Sequence, residues 1–155
     1  MPSAMPKYFK LVAENRKARH DYHILETVQA GIMLSGAEVK ALRAGEVNLR
    51  DSFARLEGSA IWLYNMYIKP YKFGRAETDP HRQRKLLLNA REIARLSGKA
   101  GQKGYSLIPL KIYFDGNWAK VDLALGQAKK LFDKKETKKQ RDLDREMERE
   151  LTKRE

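Results

Sequence analysis

Alternating apolar and polar positions mark the first predicted strand of this chain. Between residues 21 and 34, Tyr22, Ile24 and Val28 share one parity, and the pattern resumes after Gly31. Side chains two residues apart face the same side of a β-strand, so this period predicts a strand with one buried face. A glycine inside a strand predicts a bulge or bend, which a small closed barrel needs.

Two short helices are predicted by capping sequences rather than by long apolar stripes. Ser35 precedes Glu38 by three residues, and Asn89 precedes Glu92 by the same interval. In such a capping box each side chain bonds the other residue's backbone N–H, which stabilises the first helical turn. The glycines at positions 45 and 98 then predict where the two helices end.

The remaining apolar segments predict further short strands. One hairpin is expected from residues 47–57 and 60–69, and another from residues 105–115 and 117–125. Residues 85–88 are expected to re-enter the core between these hairpins. With five or six strands and two short helices, the pattern indicates a mainly β fold with short helices, a small closed barrel rather than a βαβ sheet.

Both chain ends are expected to lie outside this barrel. Residues 1–14 predict a flexible lead-in, residues 15–126 the barrel domain, and residues 127–155 a basic C-terminal tail. The tail holds eleven Lys or Arg and eight Asp or Glu, with too few apolar side chains to fold alone. If the tail is placed on a helix, like charges four residues apart destabilise that helix by about as much as the ion pairs three residues apart stabilise it. We therefore expect a tail that is largely disordered or fraying until it meets an anionic partner, the alternative being a permanently formed helix.

Charge narrows the possible functions. The net charge is +12, of which residues 1–126 carry +9, and this favours nucleic acid as a partner over a basic protein that merely stays soluble. There is no cysteine, the three histidines lack metal-ligand spacing, and neither a P-loop nor a catalytic serine motif occurs. We therefore expect no enzyme, no metal or other cofactor and no small-molecule substrate. No apolar run is long enough for a secretory signal or a membrane span, so we expect a cytoplasmic protein.

Basic and aromatic residues supply the candidate nucleic-acid contacts. Residues 15–20 form one basic cluster, and Arg82, Arg84 and Lys85 form a second cluster at the end of a long basic loop, residues 70–84. Cations of this kind suit phosphate contacts, and exposed aromatic rings suit stacking on unpaired bases. Further candidates of both types are Lys111, Lys120, Tyr22, Tyr64, Tyr67, Tyr71, Phe73, Tyr105, Tyr113 and Trp118.

Two strings in the sequence are highly specific. Residues 36–45 read GAEVKALRAG and residues 84–92 read RKLLLNARE, and further matching segments run collinearly from about Asn15 into the tail. By these strings the chain resembles the SsrA-binding protein family, also called small protein B. The resemblance implies an oligonucleotide-binding-type barrel that grips the tRNA-like domain of tmRNA. It also implies a tail that enters the empty decoding site and message channel of a stalled ribosome, in a non-catalytic adaptor that is expected to be a monomer when free.

The resemblance also assigns residues. Leu87 and Lys120 match family positions implicated in gripping tmRNA, and His20 is a candidate for contact near the decoding site. Gln29 stands where the family commonly has an acidic residue, so any charge-assisted contact there is weakened. Lys135 stands where the family's tail motif commonly has Arg; the lysine keeps the charge but lacks the bidentate fork of a guanidinium. The body positions expected to contact RNA are Asn15, Arg16, Arg19, His20, Gln29, Gly36, Glu38, Lys40, Arg84, Lys85, Leu87 and Lys120. The tail positions expected to contact the ribosome are Lys129, Lys130, Asp133, Lys134, Lys135, Lys138, Arg141 and Arg145.

Alternatives stay open for single residues and for the whole chain. Glu38 is as well explained as the capping partner of Ser35 as it is by a contact with RNA. Leu87, as an apolar residue, is more often part of a core than a contact. A structural ribosomal protein would have the same basic composition, but it would be stoichiometric on all ribosomes. A nuclease would need carboxylates or histidines that cluster in the folded chain.

Overall fold

The computed structural model describes residues 9–70 and 79–153. Within these residues it has nine strands and four helices, more of each than the sequence predicted. The strands are β1 (Phe9–Glu14), β2 (Tyr22–Ile32), β3 (Val47–Asn48), β4 (Phe53–Glu57), β5 (Ala60–Tyr64), β6 (Tyr67–Ile68), β7 (Arg84–Leu87), β8 (Tyr105–Asp115) and β9 (Trp118–Ala128). The helices are α1 (Arg16–Asp21), α2 (Gly36–Arg43), α3 (Ala90–Ala100) and α4 (Leu131–Lys153).

Antiparallel pairing joins six of the strands into a closed ring. The strand order along the sheet is β1-β8-β4-β5-β7-β2-β9, and an additional pairing of β8 with β9 closes the ring. The junction of β4 with β8 is narrow, since it consists of the single residue pair Ala54 and Leu107. The short strands β3 and β6 form a separate two-stranded sheet. The mainly β class predicted from the sequence is therefore confirmed.

The core lies inside this ring and follows the predicted parity. In β2, Val28, Ala30 and Ile32 are buried whereas Gln29 between them is exposed. Strands β5 and β7 alternate in the same way. The ring strands together contribute Ile61, Leu63, Leu86, Ile112, Val121 and Leu123 to the same buried cluster. Every second side chain of β2, β5 and β7 therefore points away from this core, whereas Ile108, Leu110 and Ala124 of β8 and β9 pack with Ala18 of α1 in a second buried cluster.

Both predicted capping boxes are formed. Ser35 Oγ accepts from the Glu38 N–H at 3.2 Å, while Glu38 Oε1 accepts from the Ser35 N–H at 3.0 Å. Asn89 and Glu92 exchange the same two bonds at the start of α3. Gly45 follows α2 with a φ of 76°, as expected for a terminating glycine. Helix α3, in contrast, continues two residues past its predicted end.

The predicted hairpins are present, but the strands of the first are divided. Gly58 and Gly116 adopt positive φ in the turns β4–β5 and β8–β9. Asp51 and Asn65 also have positive φ, 61° and 64°, and they separate β3 from β4 and β5 from β6. Asn and Asp tolerate this left-handed conformation better than other side chains do, and the apolar pattern alone did not reveal these two breaks.

The N-terminal segment differs from its prediction as a flexible lead-in. Residues 9–14 form β1, which pairs with β8 so that Phe9 lies opposite Asp115. The rest of the lead-in lies outside the described residues. The basic cluster that follows is helical, because the Asn15 side chain accepts from the Ala18 N–H and caps α1. With only six residues and one buried side chain, α1 has no apolar stripe that could have predicted it.

Two further predictions are corrected in β2 and in the tail. The register of β2 against β9 shifts between Ile24 and Glu26, not at Gly31. Strand β9 continues to Ala128, so the ordered sheet extends two residues into the predicted tail. Beyond it the tail is the helix α4, the form that was predicted on RNA and, as the alternative, in the free chain.

Candidate nucleic-acid interface

Leu87, Lys120 and Gln29, which are far apart in the sequence, share one outer face of the ring. Leu87 of β7 pairs with Gly31 of β2, and Gly31 pairs with Lys120 of β9. Gln29 lies two residues before Gly31 and therefore faces the same side. Leu87 is 49% exposed, so the alternative that it is a core residue is wrong. We call these four residues the Leu87 face.

Gly31 allows the two neighbouring strands of this face to approach closely. A Cβ atom placed on Gly31 would lie 3.2 Å from Leu87 Cβ, which is closer than an ordinary van der Waals contact. A larger residue at position 31 would therefore displace the Leu87 side chain. With glycine there, no side chain separates the apolar Leu87 from the cationic Lys120.

A chain of hydrogen bonds holds the adjacent part of the face. Gln29 Nε2 donates to Tyr113 Oη at 2.6 Å, and Tyr113 donates to Asp122 Oδ1 at 2.8 Å. Lys111 Nζ lies 3.5 Å from Asp122 Oδ2. Burial, together with the bond to Asp122, raises the pKa of the Tyr113 hydroxyl, so the phenol keeps the proton that it donates. Gln29 therefore has a donor role here that a carboxylate could not fill.

Asn15 is buried and joins separate segments of the fold. Its side chain is only 6% exposed, and Nδ2 donates to the Pro109 carbonyl at 3.1 Å and to the Leu49 carbonyl at 3.4 Å. It therefore joins α1 to β8 and to the segment before β4, and its contact with RNA stays a prediction. Arg16 and Arg19, on the same short helix, are exposed.

Asp21 connects the basic helix α1 to the start of the tail. His20 Nδ1 donates to Asp21 Oδ1 at 3.0 Å, and Lys134 Nζ lies 3.4 Å from the same oxygen. The Lys129 N–H donates to the Asp21 carbonyl at 2.9 Å, and Lys129 Nζ donates to the Arg19 carbonyl at 3.3 Å. The bond from His20 lowers the pKa of Asp21 against the opposing effect of burial, and Lys134 lowers it further. The basic residues of α1 and of the tail therefore form one surface.

Arg84 and Glu38 lie inside the protein. Arg84 is 1% exposed, and its guanidinium donates to Glu38 Oε2 at 2.6 Å, to the Met66 carbonyl at 2.7 Å and to the Pro80 carbonyl at 3.0 Å. Arg82 donates to both carboxylate oxygens of Glu38. Burial raises the pKa of Glu38, but the bonds from Arg82, from the N-cap backbone and from Arg84 outweigh it and hold the pKa below its ordinary value. Both residues find their bonding partners inside the fold, and their contact with RNA stays a prediction.

The other predicted contacts lie nearer the surface. Gly36 and Lys40 are exposed on α2, and Lys85 is half-buried on the outer side of β7. Five predicted tail residues are exposed beyond the end of β9, namely Lys130, Lys135, Lys138, Arg141 and Arg145. The side chain of Asp133 lies outside the described part of the structure, as do Tyr71 and Phe73 of the predicted basic loop.

Sequence reasoning missed two residues of these surfaces. Asp21 was passed over because a lone carboxylate next to a basic cluster carries no signal for an ion pair with a residue more than a hundred positions away. Met33 is 53% exposed at the end of β2, although its apolar character suggested nothing beyond packing. Its place just after a predicted strand was the available signal, but only the strand register shows which residues lie beside it.

Two features are absent from residues 9–70 and 79–153, a metal-binding cluster and a membrane-spanning helix. In this part of the chain, no three or more His, Cys, Asp or Glu side chains are grouped so that they could hold a metal ion. None of the helices described here combines the length and the apolar character needed to cross a membrane.

The chain is similar to known proteins over most of its length. The family profile described as SmpB protein matches residues 12–153. The SsrA-binding protein of Carboxydothermus hydrogenoformans is 57% identical over 143 residues, which cover 92% of this chain and 96% of that protein. The SsrA-binding protein of Pelotomaculum thermopropionicum is 51% identical over 146 residues, covering 94% and 95%. A solved structure described as "tmRNA-SmpB: a journey to the center of the bacterial ribosome" is 56% identical with a TM-score of 0.65, covering 77% of this chain and 85% of that one.

Proposed function

Because this chain belongs to the SmpB protein family, we propose that it is an RNA-binding adaptor of trans-translation. Its body binds the tRNA-like domain of tmRNA and delivers it to a stalled ribosome. Its tail occupies the empty decoding site and the message channel, so that the nascent chain is released and tagged for degradation. The protein works in the cytoplasm, is a monomer when free, and catalyses no reaction itself.

The Leu87 face is the observation that carries this proposal. It combines an exposed leucine with a lysine across a glycine, on the outside of a ring of short antiparallel strands. Small barrels of the oligonucleotide-binding type bind nucleic acids on such a strand face, and the closed ring supports this assignment. With the observed strand ends, the domain comprises residues 9–128 and the tail begins at Lys129.

A gel shift tests the body's role. The full chain is titrated into the tRNA-like domain of tmRNA and into bulk tRNA at one fixed salt concentration, because phosphate contacts make affinity depend on salt. We expect clear preference for the tRNA-like domain. Lys120→Ala should weaken this binding about tenfold, whereas Lys103→Ala, which removes the same charge from the connector between α3 and β8, should change it little. Equal affinity for both RNAs would contradict the proposal.

The tail's role is tested separately, on ribosomes. Replacing Lys130, Lys135 and Lys138 by alanine removes three exposed cations from the tail while leaving the Leu87 face unchanged. We expect the affinity for the tRNA-like domain to stay within about twofold, while recovery with ribosomes stalled on truncated messages falls sharply as the counterion release is lost. Recovery of the unaltered protein in equal amounts with all ribosomes, stalled or not, would instead favour a structural ribosomal protein.

A further inference from the structure

Both tryptophans of the chain lie on the outer side of the ring, in one row across its strands. Arg55 of β4 pairs with Trp62 of β5, and Trp62 pairs with Lys85 of β7. The Met33 N–H, just past the end of β2, donates to the Lys85 carbonyl at 3.0 Å. Lys85 is therefore flanked by an aromatic residue on one side and by a methionine on the other.

Trp118 continues this row on the next strand. The ladder of β2 with β9 ends at the pair Gly31 and Lys120. Met33 lies two residues beyond Gly31 and Trp118 two residues before Lys120, so both lie at the same end of this antiparallel pair. Trp118 shares its parity with Lys120, so both face outward. We call Trp118, Met33, Lys85, Trp62 and Arg55 the tryptophan row. It lies beside the Leu87 face, since Leu87 and Lys120 are two residues from Lys85 and Trp118.

Exposure makes this row unusual for the outside of a folded chain. Trp118 is 74% exposed and Met33 is 53% exposed, while Trp62 and Lys85 are half-buried. A tryptophan offers a large apolar surface and one donor, and folding alone favours its burial. An exposed indole at a tight turn, in a row with cations, is therefore suited to a ligand that has both flat rings and negative charge.

The spacing indicates how such a ligand would be held. Adjacent strands lie about 4.8 Å apart, so Trp118 and Trp62, three strands apart, are separated by roughly 14 Å. One base cannot contact both indoles, whereas two separate bases can, with Lys85 between them for a phosphate. The row ends at Arg55. Its guanidinium is already engaged within the protein, since it pairs with Glu57 at 3.1 Å and lies 4.9 Å from the centre of the Tyr64 ring.

We propose that the tryptophan row stacks unpaired bases of tmRNA next to the part of the tRNA-like domain held by the Leu87 face. The inference rests on the proposed function and adds a second, single-stranded part to the body's RNA contact. It is supported by the positive charge of the body, by the alternation of aromatic and cationic side chains, and by the continuity of the row with the Leu87 face.

Tryptophan fluorescence tests this directly, since the chain has no other indoles. Trp62→Phe leaves Trp118 as the only reporter, and Trp118→Phe leaves Trp62. We expect the emission of each variant to be quenched on titration with the tRNA-like domain, with the same midpoint as in a gel shift. Trp118→Ala should weaken binding about tenfold, while Trp118→Phe, which keeps an aromatic ring, should stay within about threefold. Since Trp118 is highly exposed, far-ultraviolet circular dichroism should be unchanged.

A matched pair of lysines tests the phosphate contact. Lys85→Ala should weaken binding and lower the salt dependence by about one phosphate, whereas Lys103→Ala should do neither. The row would be overturned if the unaltered protein bound the RNA normally, both single-tryptophan variants kept their emission unchanged, and Trp118→Ala kept its affinity within twofold. That result would leave the proposed function intact. If the unaltered protein did not bind the tRNA-like domain at all, the proposed function and the row would both be wrong.

Discussion

Arg84 and Lys120 are both cations predicted to bind RNA, yet they lie in opposite environments. Arg84 is buried and donates to Glu38 and to two backbone carbonyls, while Lys120 lies on the outer side of β9. The difference follows from strand parity. Arg84 shares its side of β7 with the core residue Leu86, whereas Lys85 and Leu87 alternate to the outside. A basic cluster in a sequence is therefore not one surface, because a strand divides its members between two faces.

The buried charges have a structural consequence that the exposed ones lack. Glu38 lies in the first turn of α2, Arg84 in β7 and Arg82 just before β7, so their bonds join a helix start to a strand. The Met66 and Pro80 carbonyls, which accept from Arg84, attach to β7 a segment before the long loop and a segment near the end of that loop. A buried charge is tolerated only when its partners are complete, so each member depends on the others.

The largest expected effect comes from breaking the buried cluster. Glu38→Ala leaves two guanidinium groups, one of them fully buried, without their carboxylate, and should lower the free energy of unfolding by about 3 to 5 kcal/mol. Glu46→Ala is the matched control, since its pair with Lys69 is exposed and should contribute about 1 kcal/mol or less. Urea denaturation of both variants measures the difference. Equal, small losses would show that the inner cluster is no more important than a surface pair.

The opposite outcome is expected on the Leu87 face. Leu87→Ala removes a side chain that is already half exposed, so the loss of stability should be only about 1 kcal/mol. Its affinity for the tRNA-like domain should nevertheless fall about tenfold, because an apolar contact centred on an interface contributes strongly to binding. Denaturation and gel shift on the same preparation separate the two effects. A variant that unfolded readily but bound normally when folded would reverse our assignment of this residue.

The buried cluster should also make the free energy of unfolding depend on pH. The pKa of Glu38 in the folded state lies below its ordinary value of 4.5, so its stabilising effect is fully present above about pH 4.5. That effect is lost as pH falls through the folded-state pKa. Unfolding measured from about pH 6 to 3 should therefore show a steeper acid loss for the unaltered protein than for Glu38→Gln. Asp21, whose pKa is also lowered, contributes equally to both proteins, and parallel profiles would count against the role of Glu38.

The smallest effect is expected where α1 meets the tail. Asp21→Asn weakens the contacts to His20 and Lys134 and should reduce local stability by about 0.5 to 1 kcal/mol. Amide hydrogen exchange in residues 129–139 should become about two- to fivefold faster. Glu14→Gln removes a carboxylate from a long, exposed contact with Arg16 and serves as the control. Unchanged exchange in the first variant would mean that Asp21 does not hold the start of α4.

Local features of the fold were predictable. The capping boxes at Ser35 and Asn89 and the turns at Gly58 and Gly116 depend on residues within four positions of each other, and all four are present. The breaks at Asp51 and Asn65 were missed because single residues in a left-handed conformation leave the apolar pattern almost unchanged. Helix α1 was missed because its cap at Asn15 is supported by carbonyls of distant segments.

The candidate site was predictable only in part. The family resemblance singled out Leu87, Lys120 and Gln29, but their meeting on one face depends on the register of three strands. The tryptophan row depends on the register across five strands. The linear sequence offered Trp118 and Lys85 as single candidates but gave no signal that they lie in one row. Asn15, Glu38 and Arg84 find their partners inside the protein, which polarity alone did not reveal.

The sequence by itself determined the mainly β class, the helix starts, the hairpin turns, the basic character and the family, since each is carried by short strings or by composition. The tertiary structure alone decided which charges became internal bonds and which stayed on the surface. It did so because strand pairing brings together residues tens of positions apart, and because removal from water makes a charge depend on complete partners.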